Sequence, residues 1–206
     1  MADKNMILSA DAEEKLLKPI DEYVGKIQAQ IDELRVDGSD KVRSLKNHIA
    51  IAKEDKNLSK EEKDSIIAKD KAALEKAKAV EAANKDKVAK LIADAEGYLK
   101  EHYDSEYYSK VVASCETEKA AENESYERVK ATLKTEHEQT LAKLSDPEEI
   151  KDEKYVYKNK LFDAQMTHES RLQEIKDRKH DAFSHKYHLI DLLRMSKYTF
   201  MQSRAQ

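Results

Sequence analysis

Beyond Pro147 the chain contains neither glycine nor proline, so the residues from there to Phe200 can run as one helix without an internal stop. Its start is legible in Ser145-Asp146-Pro147-Glu148-Glu149. Asp146 can accept from free backbone N–H groups, Pro147 needs no donor at the first helical position, and two carboxylates face the positive helix end. From Leu161 a stripe steps by three and four through Gln165, His168, Leu172, Ile175, Lys179, Ala182, Lys186, Leu189, Leu193, Ser196 and Phe200, the spacing that keeps one face against a partner helix. Five of these twelve positions are polar, which is poor for an isolated two-stranded coiled coil and suits a helix that meets changing neighbours. At about 1.5 Å per residue such a helix is a rod of roughly 80 Å, longer than a compact domain of this size is wide.

Composition leads to the same class independently. Ala, Glu, Lys, Leu and Arg make up 103 of the 206 residues, the signature of long helices, whereas Leu, Ile, Val and Phe total only 41. That supply cannot fill a thick core, but it can fill narrow seams between helices. Three Gly and two Pro leave few turns, and no β-branched run alternates over a strand length. The expected fold is therefore all-α, with long helices forming an elongated hairpin or bundle, or a coiled-coil-like rod.

Along the chain, residues 1–8 read as a flexible N-terminus, and Ser9 caps a first helix with Asp11, Glu13 and Glu14 in its opening turns. Its stripe is Leu16, Ile20, Val24, Ile27, Ile31 and Leu34; Pro19 either kinks this helix or opens its regular part, and the second reading is favoured. Gly38 is available for a left-handed C′ residue that closes this helix, with Ser39 or Asp40 capping the next. Ser59 and Glu62 have the spacing of a capping box. An Ala-rich helix follows, which Gly97 ends and Asp104-Ser105 restarts, although a continuous helix fits nearly as well. The apolar face then almost vanishes between Glu116 and Ser125, where fraying is expected. The boundaries predicted are about 9–36, 41–55, 60–96, 105–144 and 147–200, in a single helical unit hinged at Leu144 to Pro147.

A net charge of −4 with 39% charged residues describes an evenly mixed surface. Locally, Glu101 to Lys154 carries fifteen acids against eight bases and Arg171 to Gln206 eight bases against four acids, which favours antiparallel contact between these regions or head-to-tail contact between copies. Cys115 is the only cysteine, so no intrachain disulfide can form and a reducing, cytoplasmic compartment is expected. The first residues lack a signal-peptide apolar core, and no eighteen-residue window is free of charge, so no membrane span is expected.

Catalytic signatures are missing. Gly25, Gly38 and Gly97 stand alone, so no phosphate-cradling loop is present, and no histidine has a glutamate three residues before it, as a di-iron bundle requires. His180, His185 and His188 cluster on the last helix, where a solvated face explains them better than a metal site. Cys115 reads as a small buried hydrophobe rather than a nucleophile. Neither an enzyme activity nor a cofactor is expected.

The most apolar stretch runs from Phe183 to Met201, and its side chains wrap more than one helical face. Phe183, Tyr187, Leu189, Ile190, Leu193, Arg194, Tyr198 and Phe200 are accordingly the candidate partner-docking residues. The stretch can be buried at a bundle end, dock on another protein, or lie on an anionic membrane surface as a basic amphipathic helix. Asp191 counts against the membrane, and interleaved acids count against nucleic acid. The leading expectation is a non-enzymatic structural or scaffolding subunit that packs along other helical proteins or its own copies. The alternative is a peripheral membrane-surface-binding protein.

Overall fold

A computed structural model describes residues 7–202, so most of the segment expected to be flexible at the N-terminus lies outside the described residues. Every described secondary-structure element is helical, as the composition requires: α1 (Ala10–Arg35), α2 (Lys41–Glu54), α3 (Lys60–Tyr98), α4 (Ser109–Leu141) and α5 (Pro147–Gln202). Two π-helical segments, π1 (Val36–Asp40) and π2 (Leu99–Tyr108), join α1 to α2 and α3 to α4, so unbroken helical runs of 45 and 82 residues precede α5. The starts follow sequence chemistry. Ser9 Oγ accepts from Ala12 N, Ser59 and Glu62 close a reciprocal capping box, and Asp146 Oδ1 accepts from Glu148 N.

The helical backbone runs through all three candidate interruptions, as the 9–36 boundary allowed at Pro19 and the continuous alternative allowed at Gly97. Pro19 lies inside α1; it is exposed, so the carbonyl it leaves without a partner can be hydrated. No described residue has a positive φ, so Gly38 is not a left-handed cap. It sits in π1, where a Cβ would come 3.2 Å from the Glu81 Cα and 3.3 Å from the Asn84 side chain, so glycine lets α3 approach this closely without crowding. Gly97 does not end α3, which continues into π2 through Asp104 and Ser105.

The described residues fall into two compact units. One comprises Glu14–Ser105 and residues 185–202. Here the run of α1, π1 and α2 folds back antiparallel on α3, as Asn84 Nδ2 donating to the Leu34 carbonyl at 2.9 Å and His48 Nδ1 lying 2.6 Å from Asp70 Oδ2 show. The apolar seam is that read from the sequence: Ile20, Val24, Ile27 and Ile31 of α1 are buried, as are the small or narrow residues Ala77, Val88 and Ala95 of α3. Tyr103 of π2 is buried too, and Tyr98 stacks on Tyr23 with ring centroids 3.9 Å apart.

The other unit comprises residues 7–13 and Glu106–Ser184, in which α4 and α5 form an antiparallel hairpin. Near its base, Arg178 gathers three segments. It donates to Glu118 at 2.6 Å and to Ser114 Oγ at 3.0 Å and lies 3.3 Å from Glu13, while Ser114 Oγ also accepts from Leu8 N at 2.9 Å. Further out, two matching clamps cross the hairpin. His168 bonds Glu122 at 3.1 Å and stacks on Tyr126 at 4.2 Å; His137 bonds Glu153 at 2.9 Å and stacks on Tyr157 at 4.2 Å. In each clamp one helix offers a Glu-x-x-x-Tyr pair and the other a histidine. The stretch expected to fray after Glu116 is thus helical, because Glu118 and Glu122 take the seam positions that lack apolar residues. Arg178–Glu118 and Lys179–Glu116 supply the opposite-charge contact expected between the acidic and basic regions.

A Cβ added at Gly25 or Gly97 would meet nothing within 4 Å, so Ala at either site should raise stability by roughly 0.5–1 kcal/mol. Gly38→Ala should lower it, because crowding costs of about 1–3 kcal/mol exceed that gain. Urea titration of the three variants tests the opposite signs. Glu13 supplies a pH test. Burial, only partly opposed by Arg178 and reinforced by Glu118, raises its pKa above the ordinary 4.5. Its contribution is therefore fully present below pH 4.5 and lost as pH rises through the higher folded value. Glu13→Gln should melt above the parent at neutral pH, and the difference should vanish below pH 4.5 in thermal scans.

Candidate functional site

The candidate docking residues divide by the turn of the helix. In the unit containing the end of α5, Leu189, Leu193 and Phe200 are 3%, 2% and 0% exposed and belong to the core; Ile190 is half-buried at its edge. Tyr187, Arg194 and Tyr198 are exposed, together with Met195 and Met201. Phe183 belongs to the hairpin unit, is exposed, and lies 6.2 Å, ring to ring, from Tyr108. At about 100° per residue, 187, 194, 198 and 201 share one narrow arc, roughly opposite the 189, 193, 200 stripe. The surplus apolar surface of this stretch is therefore two faces with different tasks.

The inner face is held by polar contacts as well as burial. His185 Nε2 lies 2.8 Å from Asp21 Oδ1, Lys186 pairs with Asp104 at 2.7 Å, and Gln28 Nε2 reaches Ser196 Oγ at 3.5 Å. These contacts set the rotation of α5 and so determine which residues face out. On the outer arc Arg194 Nη1 lies 3.5 Å from Asp191 Oδ1, which partly offsets the one acid in the stretch and leaves Lys197 beside Tyr198. Gln202 Nε2 donates to the Tyr198 hydroxyl. The result is an amphipathic helix end with aromatic, thioether and basic side chains outward.

The three clustered histidines have separate surroundings: His180 faces Ser184, His185 faces Asp21, and the His188 ring lies 6.1 Å from that of His185. Among the described residues no group of three His, Cys, Asp or Glu side chains is placed to hold a metal ion. Cys115 is buried beside the Arg178 cluster, and desolvation raises its thiol pKa in spite of the guanidinium.

Residues 10–204 match the family described as ABC transporter permease MglC, N-terminal domain. The chain belongs to that family. Comparison with curated proteins and with solved structures returns no match. Membership overturns the expectation of a cytoplasmic structural or scaffolding subunit, since the family is that of a membrane transporter component. A charged, sparsely seamed set of helices has the same periodicity wherever it works, so composition could not separate the two settings. Partners of the chain include proteins, because a permease works with other transporter components. Among the described residues no helix is long and apolar enough to cross a membrane.

Sequence reasoning missed a second exposed set on α5. In the hairpin unit Tyr155, Phe162 and Met166 are 67%, 59% and 50% exposed, spread too thinly among charges to register as an apolar run. The signal that finds them is their shared side of the helix, given the seam at Glu153, Tyr157, Leu161 and His168.

The split of α5 into core and outer faces has a direct test. Leu193→Ala should cost about 2–4 kcal/mol in chemical denaturation, and Tyr198→Ala no more than about 0.5 kcal/mol.

Proposed function

We propose that this chain is a non-enzymatic helical domain of an ABC transporter permease that rests on the anionic membrane surface through the outer arc at the end of α5. The observation that carries the reading is the arc itself, with exposed Tyr187, Tyr198 and Met201 around Arg194, flanked by exposed Met195 on one side and Lys197 on the other, on a helix whose opposite side is already buried. Aromatic rings suit the boundary between headgroups and acyl chains, and cations on long stems reach lipid phosphates while their methylenes lie along apolar surface. Membership in a permease family supports a membrane as the surface met. Burial of the sole cysteine, with its thiol pKa raised, supports a role without nucleophilic chemistry. The finer identity of the protein partners follows from the same placement: other components of the transporter, met at the membrane.

Co-sedimentation of the purified chain with phosphatidylglycerol vesicles tests this. Binding should be strong at low salt and weaken several-fold once salt shortens the screening length to about 8 Å. Met195→Glu with Tyr198→Glu should lower it roughly tenfold or more without changing helicity. A chain that stays in the supernatant at low salt would remove the membrane-surface reading.

A further inference from the structure

We propose that the outer side of α5 in the hairpin, from Lys151 to Met166, is a second membrane-surface contact that takes anionic lipid headgroups; this rests on the membrane-surface reading of the domain. Within the hairpin, α5 turns Glu153, Tyr157, Leu161, Ala164 and His168 toward α4, where they are half-buried. Lys151, Tyr155, Lys158, Phe162 and Met166 follow one another by four, three, four and four residues, which places them on a single arc on the opposite side. All five are exposed.

A lone exposed apolar side chain needs no explanation, but three in line with lysines among them do. The hairpin does not need them. Its own seam is closed by the two histidine clamps and by half-buried leucines, and Tyr155, Phe162 and Met166 contribute nothing to it. Charge selects the occupant. Along the arc from Lys151 to Met166 there is no acid; Glu148 and Glu169 bound it, Asp152 and Asp163 lie beside it, about 60° round the helix from Tyr155 and Met166, and Glu153 is turned to His137. A basic, aromatic arc free of acids fits an anionic surface. An acidic helix of another protein shares that charge, but the permease family and the interleaving of Tyr and Phe with Lys favour lipid.

The chain has no tryptophan, so a single one reports on its own position. Phe162→Trp and Tyr198→Trp replace exposed rings and leave the packing intact. Each full-length variant is mixed with vesicles of phosphatidylglycerol in phosphatidylcholine, or of phosphatidylcholine alone, and emission and quenching by brominated acyl chains are recorded. A blue shift and quenching at position 162 on the anionic vesicles only is the expected result. Adding Lys151→Glu and Lys158→Glu should then weaken that signal roughly tenfold or more. An indole at position 162 that stays solvent-like while one at position 198 shifts overturns this second contact and leaves the first standing, assigning the arc to a protein. A shift at 162 with none at 198 supports the second contact and removes the first. Silence at both removes both, and an equal shift on neutral vesicles overturns the headgroup assignment.

Discussion

Scarcity of large apolar residues governs this protein: with 41 Leu, Ile, Val and Phe in 206 positions, helices can be joined only along narrow seams. Where the supply is adequate, as along Ile20, Val24, Ile27 and Ile31, the seam is aliphatic and buried. Where it fails, between residues 116 and 170, polar side chains take the same positions, and they hold only because each meets a partner across the seam. A carboxylate facing a histidine that stacks on a tyrosine offers a hydrogen bond and an aromatic contact in place of burial. Arg178 plays a similar part between Glu13, Glu118 and Ser114.

That scarcity has a consequence for the surface. A chain with so few apolar side chains would be expected to bury them all, yet α5 keeps aromatic and methionine residues facing out on both the hairpin and the terminal segment. Their cost in solubility is offset by the charges around them, and their position opposite each seam means that folding does not require them. The family match is to a component of a membrane transporter, and contact with a membrane surface is the use proposed for such faces.

Glycine and proline mislead here for a physical reason. Their conformational habits favour turns, but a turn forms only if the helix gains nothing by continuing. Gly38 lies where α3 approaches so closely that a Cβ would crowd its backbone, so its value is in packing rather than in left-handed φ. Pro19 loses one hydrogen bond on an exposed side, a small loss within a long helix. At 36–40 and 99–108 the backbone adjusts by widening into π-helix, which keeps the runs whole.

By itself the sequence determined the all-α class, the sharp starts at Ser9, Ser59 and Pro147, and the stripe that buries Leu189, Leu193 and Phe200, because caps and heptad spacing are local chemistry. Tertiary structure decided the rest. Which faces of α5 point out depends on contacts such as His185 with Asp21, between residues far apart in the chain. The histidine clamps depend on the register of two antiparallel helices, which no single-helix pattern encodes. The docking stretch was therefore legible as a surplus of apolar residues between Phe183 and Met201, while its division into a core and an outer arc, and the existence of a second arc at Tyr155, Phe162 and Met166, required the partner helices to be in place.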